Sequence, residues 1–215
     1  WNEFVEVLQT LLTDDGHFVF EVPYLVDLVE KLEYDTIYHE HVSYISVAPL
    51  VPFFRKYGMK IVDIERKPIQ GGSLRVYVGF SNGNEEIPKS VAKLLELEER
   101  LGLNTEDFLK KFAETVSQNR EKIRALLADI KDKGGNIAGI SAPAKGNSLL
   151  NYCKIGPETI DYLTEISTLK IGKYSPGMHI PVFSDNELKV RLPDYAIILA
   201  WNYADEIMAR NVWFK

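Results

Sequence analysis

The segment from Asn136 to Tyr152 constrains the fold more than any other. Asn136-Ile137-Ala138-Gly139-Ile140-Ser141 reads as a short, mostly apolar strand. Ala142-Pro143-Ala144-Lys145-Gly146-Asn147-Ser148 is a loop of small residues with one lysine, and Leu149-Leu150-Asn151-Tyr152 opens the next helix. Strand, tight loop and helix in that order are the repeating step of an α/β sheet. The same geometry points backbone N–H groups at an anion. Lys145 adds positive charge, and Asn147 or Ser148 can donate further hydrogen bonds. The spacing is not that of a Walker P-loop, and the dinucleotide fingerprint G-x-G-x-x-G is missing. Diphosphate binding and a plain turn with an exposed lysine both fit these residues.

The chain beyond this segment repeats the α/β theme. Ile160–Leu163, His179–Phe183 and Tyr195–Ala200 read as strands, the last of them buried, and Trp201-Asn202-Tyr203 follows its carboxyl end, where open α/β sheets hold ligands. Upstream, Phe4, Val5, Leu8, Leu11 and Leu12 have helical spacing, and His17–Val22 reads as a strand buried on both faces. Glu21 near its end suits either a ligand site or a salt bridge. Ser46 is expected to cap a helix over residues 47–57. Met59–Ile64 and Ser73–Phe80 predict a hairpin, with Leu74, Val76 and Val78 on one face of its second strand and Arg75 and Tyr77 on the other. Between them, Gly71 and Gly72 permit positive φ or close approach to a ligand. Ser81–Glu86 reads as a boundary. Two helices follow, Lys89–Leu101 and a long one from a Thr105 cap to about Lys131, with Phe108, Leu109, Val116, Leu126 and Leu127 among its apolar stripe.

The polar stretch Tyr34–Ser46 stands apart. Within thirteen residues it holds Tyr34, Tyr38, His39, Glu40, His41 and Tyr44. A packed core would need a partner for each polar group, whereas a proton-transfer site uses this mixture. Histidine titrates near neutrality, a carboxylate can orient it, and a tyrosine hydroxyl can stabilise an oxyanion. Two other uses fit the residues: lining for a non-catalytic nucleotide-binding or regulatory module, or a metal site built on His39 and His41. On a regular strand those two histidines would share a face, so convergence of Tyr38, Glu40 and His41 requires a bend.

Composition excludes several classes. A net charge of -6 in 215 residues argues against a general nucleic-acid or anionic-membrane surface. Cys153 is the sole cysteine, so an intrachain disulfide and a cysteine-based zinc site are excluded, and no metal ligand set is assigned. No apolar run reaches membrane-spanning length. Trp1-Asn2-Glu3-Phe4 carries no basic region ahead of an apolar core, so no signal peptide and a cytoplasmic location are expected.

Taken together the motifs resemble those of the S-adenosylmethionine-dependent C-methyltransferases of nucleotide-sugar biosynthesis. They are Phe20-Glu21-Val22-Pro23-Tyr24, the Tyr38-His39-Glu40-His41 core with Ser43-Tyr44-Ile45-Ser46, Gly71-Gly72-Ser73-Leu74-Arg75, and Ala142-Pro143-Ala144-Lys145-Gly146-Asn147 with Leu149-Leu150-Asn151-Tyr152. Gly172-Lys173, Pro176-Gly177, Ile180-Pro181, Pro193-Asp194-Tyr195 and Trp201-Asn202 also match. Gln70 stands where relatives often have histidine. The resemblance implies a partial class I methyltransferase (Rossmann-like) sheet over residues 1–82, connecting helices over 83–133, and a second Rossmann-like α/β domain over 134–215 that binds the sugar nucleotide. It implies methyl transfer to the carbon beside the ketone of a nucleotide-diphosphate 4-keto-deoxysugar, with His41 as base and Tyr38 and Glu40 assisting. Lys145, Gly146, Asn147, Ser148, Ser141, Tyr152, Gly71, Gly72 and Arg75 are the implied substrate contacts. The family's glycine-rich loop for S-adenosylmethionine and its cysteine-rich zinc module have no counterpart here. The cofactor site is therefore expected upstream of Trp1, and zinc only in that other module.

Overall fold

Residues 1–83 and 86–214 are described by a computed structural model, a mixed α/β protein that divides into two units. Trp1–Glu33 and Val42–Phe112 form the first, Tyr34–His41 and Ala113–Lys215 the second. Of the expected boundary cluster at 81–86, Asn84 and Glu85 lie outside the described residues.

The first unit runs α1 (Asn2–Leu11), β1 (Phe18–Pro23), α2 (Leu25–Glu30), α3 (Val47–Arg55), β2 (Met59–Lys67), β3 (Ser73–Phe80) and α4 (Lys89–Leu101). β3 lies between β1 and β2 and is antiparallel to both. The predicted alternation holds: Leu74, Val76 and Val78 are fully buried in the core with Phe54, Met59 and Val91. β1 departs from expectation. It is not buried on both faces but alternates, with Val19 46% exposed, because it ends a three-stranded antiparallel sheet with one covered face. Glu21 on it takes the salt-bridged role, accepting from Arg75 at 2.9 Å.

The helix after Ser46 forms, but the serine hydroxyl does not cap it. The buried Glu98 carboxylate does so instead, accepting the amides of Val47 and Ala48 at 2.6 and 2.9 Å and the Tyr24 hydroxyl at 2.9 Å. A carboxylate there satisfies otherwise orphaned donors and meets the positive helix end.

The unit boundary falls within α5 (Glu106–Asp132), which Thr105 caps through the Phe108 amide as predicted. Of its expected stripe, Val116 and Leu127 are buried, while Leu109 and Leu126 face solvent. The second unit continues with β4 (Ile137–Ile140), α6 (Ala144–Cys153), β5 (Tyr162–Glu165), β6 (Val182–Ser184), α7 (Glu187–Arg191), β7 (Tyr195–Ile198) and α8 (Ala204–Arg210). The sheet order is β6-β5-β4-β7, all parallel. β4 and β5 are wholly buried, but β7 is a half-exposed edge rather than the expected buried strand. Among the described residues no helix is long and apolar enough to cross a membrane.

Candidate active site

The parallel sheet sets where a ligand can sit. From β4 the chain steps to β5 and on to β6, then returns to the opposite side of β4 as β7. The connections leaving β4 and β7 therefore flank a topological switch point, the place where open α/β sheets open a crevice. Ser141, the first residue beyond β4, has φ 72, a left-handed conformation that costs a non-glycine residue about 1–3 kcal/mol.

Helix α6 starts at Ala144, not at Leu149. Lys145, Gly146, Asn147 and Ser148 therefore lie on its first turns rather than in a loop. The Asn147 amide donates within the helix to Pro143 O at 3.1 Å. This narrows the expected anion cradle from residues 144–148 to the amides of the first turn, at Ala144, Lys145 and Gly146. Gly146 has a packing reason as well. A Cβ there would stand 2.9 Å from Leu199 Cβ, so glycine lets α6 lie close to the end of β7.

Lys145 meets the other wall of the crevice. Its ammonium donates to Asn202 Oδ1 at 2.6 Å and lies 4.4 Å from the centroid of the Trp201 ring. The Trp201 indole N–H in turn donates to Asp35 Oδ2 at 2.7 Å. Asp35 is 6% exposed. Burial pushes its carboxyl pKa up, and the hydrogen bond from Trp201 and the charge of Lys145 offset that only in part.

Asp35 belongs to a 3-10 turn, Tyr34–Thr36, packed against α6. The Tyr34 hydroxyl donates to Asn119 Oδ1 at 2.9 Å, and its ring meets that of Tyr152 edge-on at 5.6 Å. Tyr152, a predicted substrate contact, thus supports this turn. Beyond Thr36 the chain bends and brings two of the three expected groups together, Tyr38 and His41 but not Glu40: the His41 amide donates to Tyr38 O at 3.0 Å, and the two rings lie 4.5 Å apart. His39 and Glu40 occupy the exposed tip of the turn. Thr36 O accepts both the Tyr38 amide at 3.1 Å and His41 Nδ1 at 2.9 Å. A carbonyl oxygen can only accept, so Nδ1 carries a proton in this contact. No group of three His, Cys, Asp or Glu side chains is placed to hold a metal among the described residues.

Beside α6 lies a cavity of about 230 Å³ that the sequence did not mark as a site. Asn147, Lys170, Lys173, Tyr174 and Ser175 line it. Glu165, at the end of β5, organises its rim: it accepts the Ala142 amide at 3.3 Å, the Ile166 amide at 2.9 Å and the Lys170 ammonium at 3.0 Å. Burial alone would raise the Glu165 pKa, but Lys170 and the amides hold it below the usual carboxylate range. The paired small and basic residues of Gly172-Lys173 were the available signal for this cavity.

The remaining predicted contacts lie in the first unit. Arg75 is engaged with Glu21 and, at 3.9 Å, with Glu65. The space a Cβ would need at Gly71 and Gly72 is filled by the carboxylates of Glu33 and Asp27. Asp27 receives two hydrogen bonds from Arg66 at 2.8 Å and an ion pair from Lys31 at 2.8 Å. These glycines therefore admit the protein's own side chains.

Residues 68–214 match the C-methyltransferase C-terminal domain family. The chain belongs to that family. It is also 37% identical over 207 residues to C-methyltransferase NovU of Streptomyces niveus, an alignment covering 96% of this chain and 49% of the relative. It spans about half the length of the curated relative that it matches. The matched domain contains α6 and the Lys145–Trp201–Asn202 wall, whereas the Tyr38–His41 turn precedes it.

A C-methyltransferase draws its methyl group from a nucleoside cofactor, which a glycine-rich turn after a parallel strand would hold. The first unit's strands pair only antiparallel, and Gly71 and Gly72 are packed against carboxylates. Its described residues do not make such a cradle, so no step is derived through S-adenosylmethionine on this chain.

Proposed function

We propose that this C-methyltransferase chain binds a nucleotide-diphosphate 4-keto-deoxysugar and removes the proton from the carbon beside its ketone. The observation that carries the reading is the Thr36–His41 hydrogen bond, on a turn packed against the diphosphate-facing helix. His41 Nε2 takes the proton. Its Nδ1–H stays bonded to Thr36 O, which steadies the ring and favours the imidazolium as it forms. Tyr38, whose ring lies against that of His41, is in reach to donate its hydroxyl to the developing enolate oxygen. Glu40, at the tip of the turn, serves to orient the base or relay the proton. The first-turn amides of α6 and Lys145 hold the diphosphate, with Ser141, Gly146, Asn147 and Ser148 around them. The cavity beside Asn147 suits one part of this ligand, since pockets that bury a whole ligand run to roughly 300–1,000 Å³.

Proton abstraction is testable without methyl transfer. In D2O the intact enzyme should exchange the α-proton of the bound 4-keto sugar for deuterium, and His41→Asn should slow that exchange by roughly 10²- to 10⁴-fold. Sugar-nucleotide affinity should change little. Exchange at the wild-type rate in His41→Asn would move the role to another group. In calorimetry this chain alone should bind the sugar nucleotide and lose affinity with Lys145→Ala. Failure to bind would leave the α6 turn without its proposed ligand.

A further inference from the structure

The site contains a buried acid that the proton transfer itself does not use. Asp35 is almost wholly enclosed, sits one residue before the carbonyl that holds His41, and accepts the indole N–H of the tryptophan on which Lys145 rests. Its partner is 166 residues away in sequence, so this one bond fastens the base-bearing turn to the connection that follows β7. The carboxylate also acts on the lysine. Accepting the indole N–H raises the electron density of the ring, and a richer ring attracts a cation at its face more strongly. The line Lys145–Trp201–Asp35–Thr36–His41 therefore joins the group proposed to hold the diphosphate to the group proposed to take the proton, through named contacts within one unit.

We propose that Asp35 is a positioning residue that sets the Thr36–His41 turn in register with Lys145 through its hydrogen bond to Trp201. The inference rests on His41 as base and Lys145 as diphosphate ligand. Its action runs through the acceptor oxygen, so Asn, which keeps an acceptor and drops the charge, is the informative conservative replacement. Trp201→Phe removes the donor and keeps a ring under Lys145. Lys145 keeps its bond to Asn202 in either case, so ground-state binding should be spared more than turnover.

The test is steady-state turnover and α-proton exchange in the intact enzyme carrying Asp35→Ala, Asp35→Asn, Trp201→Phe and the Asp35→Ala/Trp201→Phe pair. A misplaced base of this kind costs up to roughly 10²-fold. Asp35→Ala should lower kcat and the exchange rate together by about that factor, with KM for the sugar nucleotide nearly unchanged. Asp35→Asn should recover to within roughly fivefold of wild type, the difference between a charged and a neutral acceptor. The double variant should be no worse than the poorer single within about twofold, because both remove one bond. Unchanged kcat in Asp35→Ala, no recovery in Asp35→Asn, or multiplying losses in the pair would each overturn the inference. If Asp35→Ala were too unstable to assay, Trp201→Phe would decide, since it removes the same hydrogen bond, and unchanged kcat and exchange there would overturn the inference. His41→Asn in the same exchange assay separates the two failures. Exchange surviving there removes the base, whereas exchange lost there but normal in Asp35→Ala removes only Asp35.

Discussion

Two buried aspartates, one in each unit, have opposite electrostatics. Asp27 is 2% exposed and Asp35 6%. Burial raises the pKa of each. At Asp27 the bidentate bonds from Arg66 and the pair with Lys31 outweigh it and hold the carboxyl below the ordinary value. At Asp35 the Trp201 indole, the charge of Lys145 and the Asp35 and Thr36 amides offset burial only in part, and the carboxyl stays raised. The first unit holds Gly72 and the start of α3 in place with the hydrogen-bonded carboxylates of Asp27 and Glu98. The second holds Asp35 between α6 and the Tyr38–His41 turn, where its charge is only partly offset.

The largest effect should come from breaking the compensated network. Asp27→Ala leaves Arg66 with the Tyr24 ring, 5.5 Å away, and the distal Glu30 beside its guanidinium, and removes the carboxylate partner of Lys31, which keeps its bond to Gly71 O. Loss of one partner of a buried pair costs about 3–5 kcal/mol. Chemical denaturation should show a loss near the lower bound, since Arg66 is 35% exposed. A loss of less than about 1 kcal/mol, the surface-pair range, would erase the contrast between the two acids. Gly72→Ala should come next. Its new Cβ would overlap the Asp27 carboxylate and displace it from Arg66, and overpacking of that sort costs about 1–3 kcal/mol. An unaffected midpoint would mean that the turn can move away from Asp27.

Much of the fold was legible, and the misses have physical causes. Alternation in β3 and the stripe of α4 placed both at their observed bounds, because each side chain's burial there follows from local periodicity. β1 misled because Phe18-Val19-Phe20 is apolar on both faces while one face lies open. The start of α6 was hidden by Pro143 and Gly146, poor helix formers at ordinary positions. Gly146 is there because Leu199, far along the chain, would meet any Cβ. The polar stretch and the lysine turn were legible, and a bend was expected from convergence of Tyr38, Glu40 and His41; the bend forms, but it pairs Tyr38 with His41 and leaves Glu40 exposed. Asp35 carried no local signal: its role comes from Trp201, and no spacing rule spans that distance. The Glu98 cap was invisible for the same reason.

The smallest expected effect is the sharpest test of the contrast, because the two acids should respond to pH with opposite sign. Asp27 has a folded pKa below its unfolded value. The stability it contributes is whole above the unfolded pKa near 3.8 and is lost as pH falls through the folded value. Asp35 has a folded pKa above its unfolded value. The stability it contributes is whole below that same unfolded value and is lost as pH rises through the raised folded one. At neutral pH, then, ionisation of Asp35 costs stability, and replacing it with a neutral isostere should not destabilise the fold. Denaturation of Asp35→Asn at a series of pH values should show a difference from wild type that grows as pH rises past the unfolded value near 3.8 and levels above the raised folded one. In Asp27→Asn the difference should have the other sign, a deficit at neutral pH that shrinks on acidification. If Asp35→Asn were instead as destabilised at pH 7 as Asp27→Asn, Asp35 would be a compensated structural acid like its counterpart, and the asymmetry between the two units would disappear.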